Sequence, residues 1–219
     1  MEELRIVVVG KVGAGKTSLI NTILGKESTA EYCGSECEVT QGVYEKEPVV
    51  FIDTPGLLRT DLTKEKLTEE LLKCILRAAP GPHVFLYVKE KEPFTTEEER
   101  AVKHLERIFK NSKAFFLGVV MSDEIITEED CAIIQRSFMG KFGGCIVFNT
   151  EEPNVSELVK KIKEMAEKQG HYTNELSKKT KTISKNQDKT VKATVKKIQR
   201  GLVEFYHSLK IHLSQLLDI

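Results

Sequence analysis

No apolar run in this chain reaches the roughly 18 residues that a bilayer-spanning helix needs. The N-terminus lacks the basic, then apolar, then small-residue succession of a cleaved signal, because Leu4-Arg5-Ile6-Val7-Val8-Val9 runs straight into glycine. An intracellular, cytoplasmic protein is therefore expected, and any contact with a membrane should be peripheral. Cysteine is sparse: Cys33, Cys37, Cys74, Cys131 and Cys145 form an odd, scattered set without CxxC spacing. That pattern argues against a disulfide framework or a zinc site. Net charge is also missing, with 33 Lys+Arg against 33 Asp+Glu.

What remains is a chain of 219 residues that is 40% hydrophobic and 30% charged, the profile of one soluble globular domain or of one plus an extension. The neutral total hides an asymmetry. From Gly170 to Ile219 there are ten Lys+Arg and four Asp+Glu, leaving 23 against 29 in residues 1–169. A basic tail on an acidic body suggests docking between the two or attraction to an anionic surface. The lysines of the tail are not interleaved with aromatics, so no nucleic-acid partner is expected.

Short β-branched runs read as strands: Leu4 to Val9, Val49 to Ile52, Val84 to Val88, Ala114 to Val120 and Cys145 to Phe148. Helix-length segments separate them: Lys16 to Leu24, Lys64 to Ala78, Thr96 to Lys110, Thr127 to Phe138 and Val155 to Lys168. Such alternation predicts an α/β domain over residues 1–169, a mostly parallel sheet between helical layers, with ligands at the carboxyl ends of the strands. Lys26 to Glu47 is too long for an ordinary connection and is expected to be a disordered or functional loop. Residues 170–219 read as an amphipathic helical extension, with Leu202, Phe205, Tyr206, Leu209, Leu213, Leu216 and Leu217 at helical spacing. Its apolar face needs a partner, which could be its own domain, another subunit or a membrane surface.

The first strand ends in Gly10-Lys11-Val12-Gly13-Ala14-Gly15-Lys16-Thr17-Ser18, a G-x-x-x-x-G-K-[ST] sequence between a predicted strand and a predicted helix. In that context Gly10, Val12, Gly13, Ala14, Gly15 and Ser18 belong to a backbone cradle for phosphates, at the positive end of the helix. Lys16 would reach the β- and γ-phosphates and Thr17 would ligate Mg²⁺. Asp53-Thr54-Pro55-Gly56 then follows a buried strand, where Asp53 can hold the metal through a water. Gly56, without a Cβ, can bring its N–H to the γ-phosphate. Within the long loop Thr40 is the best-placed switch threonine to close on Mg²⁺, with Ser28, Thr29 and Ser35 competing for the role. Asp123 ends the strand where a guanine base is normally read, or else caps the next turn. Val120 and Met121 could flank the base, and a further base-contacting loop belongs at Phe148-Asn149-Thr150. Leu57 stands where a water-orienting glutamine would be, so intrinsic turnover should be slow, with Arg59 and Arg77 as speculative charge donors. His83 reads first as a packing or hydrogen-bonding residue, and His104 and His207 as surface residues.

Taken together, the P-loop, Val39-Thr40, Asp53-Thr54-Pro55-Gly56-Leu57, and above all Pro80-Gly81-Pro82-His83 followed by Phe94-Thr95-Thr96-Glu97-Glu98-Glu99, resemble the GIMAP family of immunity-associated GTPases. The resemblance covers residues 4 to 168. It implies a P-loop GTPase fold and a GTP/GDP- and Mg²⁺-dependent switch of the septin, Toc and dynamin-like kind that associates through its nucleotide face. A homodimer or oligomer, or assembly with other family members, is implied, as is peripheral association with an intracellular membrane. The resemblance favours Lys16, Thr40 and Gly56 as catalytic residues, Thr17, Thr40 and Asp53 at the metal, and Asp123 and Asn149 at the base. Two departures stand out: Val120-Met121-Ser122-Asp123 lacks the usual basic or polar partners of the base-reading Asp, and Pro93 replaces an arginine before the Phe-Thr box. Three readings compete: a slow GTPase completed by a second molecule, a GTP-loaded scaffold that hardly hydrolyses, and a P-loop enzyme using ATP.

Overall fold

The computed structural model describes residues 3–26 and 37–173. The elements in chain order are β1 (Leu4–Gly10), α1 (Lys16–Ile23), β2 (Glu38–Tyr44), β3 (Glu47–Asp53), α2 (Lys64–Arg77), β4 (Val84–Glu90), α3 (Thr96–Ile108), β5 (Phe116–Ser122), α4 (Glu128–Phe138), β6 (Gly144–Asn149) and α5 (Val155–Gln169). They form one sheet in the order β2-β3-β1-β4-β5-β6, parallel except for β2. Every strand and helix expected within residues 4–169 is present, each end within two residues of its expected place.

The central strands are apolar on both faces because helices cover both. Ile6, Val8, Phe51, Leu86 and Val119 pack with Leu19 and Ile20 of α1 and Leu158 and Ile162 of α5. On the other face Phe85 stacks on Phe109 and Phe116, and Tyr87 packs with Phe94 and Phe142. Strand order reverses direction at β1, whose neighbours are β3 and β4. The crevice above the carboxyl end of β1 is thus the topological switch point, where α/β sheets bind ligands.

The sequence reading needs correction at three places. Residues 38–44, expected within one long connection, form strand β2, antiparallel to β3 with Glu38 opposite Asp53 and Thr40 opposite Phe51. The globular body also continues past 169: Tyr172 is 3% exposed, its N–H donates to the Pro82 carbonyl at 2.7 Å, and its hydroxyl donates to the Lys110 carbonyl at 3.0 Å. The rest of the expected extension, from residue 174, lies outside the described residues, as do Ser28, Thr29, Cys33, Ser35 and His207. Among the described residues no helix is long and apolar enough to cross a membrane.

Third, His104 is half-buried and hydrogen-bonded, not a solvated surface residue. Its Nε2 lies 2.9 Å from Thr68 Oγ1, and that hydroxyl gives its proton to the Lys64 carbonyl at 2.7 Å. Nε2 must therefore be the donor to Thr68, tying α3 to α2. Burial, then the charges of Lys64 and Arg107, hold the imidazole below its ordinary value of 6.5. The unfolded chain binds this proton more readily, so His104 subtracts stability as pH falls below about 6.5 and has no effect well above it. Melting temperatures at pH 7.5 and 5.5 should show a smaller acid loss in His104→Gln, which keeps a donor for Thr68 and cannot titrate. An equal loss in both proteins would refute this role.

Candidate nucleotide-binding site

Between β1 and α1 the backbone turns with Gly13 at φ 79° and Gly15 at φ 83°, left-handed conformations that glycine adopts without strain. Gly15 is the N-cap of α1 and uses no side chain to cap it, so the first N–H groups of the helix are left for an anion. Lys16 is 8% exposed and its Nζ donates to the Lys11 carbonyl at 3.1 Å, which folds the ammonium back over the loop. Lys11 itself pairs with Glu90 at the end of β4.

β3 delivers Asp53 beside this loop. Thr17 Oγ1 donates to Asp53 Oδ2 at 2.6 Å, while Oδ1 is sealed from solvent without a hydrogen-bond partner. Burial raises the Asp53 carboxyl above its usual range, opposed by the Thr17 hydrogen bond and the Lys16 charge and reinforced by Glu38. A buried acceptor without a donor costs about 1–3 kcal/mol, and more when charged. Oxygen donors at this spacing fit Mg²⁺, a hard cation that keeps several of its waters. Thr17 would ligate it directly, its hydroxyl still donating to Asp53 Oδ2, and Oδ1 would accept from a metal-bound water.

Gly56 packs against the loop. A Cβ there would lie 2.4 Å from Val12 Cγ2 and 2.8 Å from the Val12 nitrogen, so only glycine fits. The next residue, Leu57, is 2% exposed and its N–H donates to the Gly10 carbonyl at 2.8 Å, which turns its side chain into the core and leaves no polar group there to orient water. Both arginines considered as charge donors are engaged by neighbouring groups. Arg59 Nε and Nη2 bind the Asp61 carboxylate at 2.8 and 2.5 Å, and Arg77 Nη1 donates to the Cys37 carbonyl.

Thr40 is not brought to Thr17 and Asp53. It sits in the β2 ladder two residues beyond Glu38, about 7 Å further along the strand. On the base side, Val120 is 1% exposed in the core and does not flank a ligand, whereas Met121 packs on Gly15, its Cε 3.4 Å from where a Cβ would be. Asp123 does not close the following turn. Ser122 does so, its hydroxyl accepting from Glu124 N–H at 3.2 Å and donating to the Glu124 carbonyl at 3.1 Å, and Asp123 stays exposed at the rim. Asn149 builds its own loop: Oδ1 accepts from Glu151 and Glu152 N–H at 2.8 Å each, and Nδ2 reaches the Glu124 carbonyl at 3.5 Å. With Thr150 N–H donating to the Ser122 carbonyl at 2.8 Å, the loops after β5 and β6 form one wall. A cleft of about 370 Å³ lies along it, lined by Glu90, Lys91, Met121, Asp123, Glu124 and Thr150.

The Phe94 box frames the same end of the sheet. Thr95 and Glu98 form a reciprocal capping box at the start of α3, and the Glu98 carboxylate also meets Lys89 Nζ at 3.4 Å, both side chains under 5% exposed. Phe94 lies under Lys89 and Lys141, with Nζ atoms 5.1 and 4.9 Å from its ring. Sequence reasoning missed Lys89, because a lysine after a strand reads as solvated. The Pro80-Gly81-Pro82-His83 segment instead serves the opposite end of the sheet. There Arg5 N–H donates to His83 Nδ1 at 3.0 Å and Arg5 Nε to the Gly81 carbonyl at 2.9 Å, so His83 is the hydrogen-bonding residue it was read to be.

Immune-associated nucleotide-binding protein 7 of Arabidopsis thaliana is 31% identical over 144 residues, 62% of this chain and 46% of that protein. GTPase IMAP family member 8 of Mus musculus is 30% identical over 129 residues, 55% of this chain and 19% of that protein. The chain thus spans less than half the length of either relative. Toc33 from Arabidopsis thaliana in complex with Mg²⁺ and GMPPNP superposes with a TM-score of 0.62 at 16% identity, over 78% of this chain and 87% of that one, which establishes the P-loop GTPase fold. The AIG1 family pattern matches residues 4–138, from β1 through the P-loop, Asp53 and the Phe94 box to the end of α4, and by that match the chain belongs to the AIG1 family.

Proposed function

We propose that this domain binds GTP and GDP with Mg²⁺, hydrolyses GTP slowly on its own, and self-associates through its nucleotide face. The observation that carries the nucleotide and metal assignment is the Thr17–Asp53 pair with its orphaned buried Oδ1 beneath the P-loop. Mg²⁺ would neutralise charge between the β- and γ-phosphates. Lys16 would leave the Lys11 carbonyl for those phosphates, Gly56 would offer its N–H, and the end of α1 would stabilise the charge that develops on transfer. Asp123 is an acceptor at the rim, suited to the N1–H and amine of guanine. Adenine would oppose it with the acceptor N1.

Slow turnover follows from the buried Leu57 and from the arginines held elsewhere. A second molecule could supply what is missing. Val12 and Leu58, 45% and 42% exposed, give the mouth of the site an apolar rim. For the Toc33 and Toc159 translocon components, dimerization is important for GTPase activity, which makes the same arrangement a natural expectation here. The second reading is a GTP-loaded scaffold, favoured by the same Leu57 and by Pro93. Membrane or family-member partners belong with either reading.

GTP hydrolysis per mole of protein, measured over a wide concentration range with Lys16→Ala as blank, separates them. A specific rate that climbs with concentration supports the assembling GTPase, and a flat rate at the blank supports the scaffold. Competition for bound GDP by GTP and ATP tests the base. We expect GTP to win and Asp123→Ala to narrow the difference by about ten-fold, one charge-assisted hydrogen-bond pair. Equal competition in the unaltered protein would refute guanine recognition.

A further inference from the structure

We propose that Glu38 is a second acidic group of the metal site, holding the outer water shell of the divalent cation from β2 while Asp53 holds it from β3. The proposal rests on the Mg²⁺-nucleotide reading above and assigns a role to a residue that carries no motif.

The argument begins with register. Glu38 is directly opposite Asp53 in the antiparallel ladder, and directly opposed residues carry Cβ atoms about 4.5–5.5 Å apart on one face of the sheet. That face is set by the core: Phe51 and Val49, two and four residues before Asp53, pack with α1, so Asp53 and Glu38 both stand on the side from which α1 and the P-loop approach. Asp53 is 3% exposed with Oδ1 buried and unpartnered, an acceptor waiting for a donor, whereas Glu38 is exposed to solvent.

The start of β2 is fastened from the other face. Cys37 is 4% exposed, its thiol meets that of Cys74 on α2, and Arg77 of the same helix donates to its carbonyl. Glu38 is therefore delivered to the level of Asp53 by an anchored neighbour. Two carboxylates on one face with no cation between them repel. A hydrated divalent ion removes that repulsion and supplies the water proton that Oδ1 lacks. Thr40, the β2 residue singled out by its sequence, lies one pleat further from the metal than Glu38.

The test is Mn²⁺ binding to the GDP-loaded protein, read from the electron paramagnetic resonance of free Mn²⁺. Glu38→Gln, isosteric at an exposed position, should weaken Mn²⁺ on the order of ten-fold, the scale of an outer-shell partner. Its GDP affinity in excess EDTA should be unchanged or tighter, since a charge near the phosphates has gone. Glu45→Gln, at the far end of the same hairpin, should leave Mn²⁺ binding as it was. Equal Mn²⁺ affinity for the unaltered protein and Glu38→Gln, or an equal loss in Glu45→Gln, overturns the role of Glu38. If the unaltered protein binds GDP but takes up no Mn²⁺, the metal reading itself fails, and if it binds no GDP the nucleotide reading fails.

Discussion

Lys16→Ala should lower the affinity for GTP and GDP on the order of 100-fold while leaving the fold intact. Hydrogen bonds from a charged group contribute about 1.5–3 kcal/mol each, and removing two such bonds to phosphate corresponds to at least that factor. The fold should tolerate the change because Lys16 contributes little to the core: its Nζ donates to a carbonyl of its own loop, and α1 is held by Leu19, Ile20 and Ile23. Fluorescent GDP titration reads the first part and circular dichroism the second. An affinity within two-fold of the unaltered protein would mean that nucleotide, if bound, sits elsewhere.

Gly10→Ala should have the largest effect on stability. A Cβ at this position would lie 2.3 Å from the Val88 carbonyl oxygen and 3.2 Å from its carbon, both backbone atoms of β4, the strand paired with β1 in register at that residue. No rotamer can yield, so the strands must separate at the root of the P-loop. Overpacking of this kind costs about 3 kcal/mol or more, equivalent to a fall in melting temperature of about 10 °C for a domain of this size. Gly13→Ala is the contrasting case. Its Cβ meets nothing within 4 Å, and only its φ of 79° is unfavourable, which costs about 1–2 kcal/mol. Chemical denaturation of both variants measures the difference, and equal losses would show that backbone conformation, not the contact with Val88, governs the loop.

Much of this molecule is written locally in its sequence. The buried strands are continuous apolar runs, α2, α3 and α4 begin at capping threonines, and the P-loop keeps its spacing between a strand and a helix. β2 escaped because it is an edge strand, largely exposed, with Glu38, Gln41 and Gly42 breaking the alternation that marks a half-buried strand. Its existence depends on the backbone of β3, a partner that no local pattern names. Lys89 was missed and His104 misjudged for a related reason: a charged or titratable side chain reads as solvated until a distant element, here Glu98 or Thr68, is folded against it. Asp123 could be placed at the end of β5 from sequence, but whether it capped a turn depended on Ser122 taking that task.

The clamp at the opposite end of the sheet bears on how the domain would carry mechanical load. Arg5, one residue into the first strand, is bonded to Gly81 and His83, and Tyr172, after α5, is bonded to the adjacent Pro82. The start of β1 and the segment after α5 therefore share one fastening. Tension applied through flanking segments would close across that fastening and bypass the P-loop, leaving the nucleotide mouth mechanically quiet while its neighbours move.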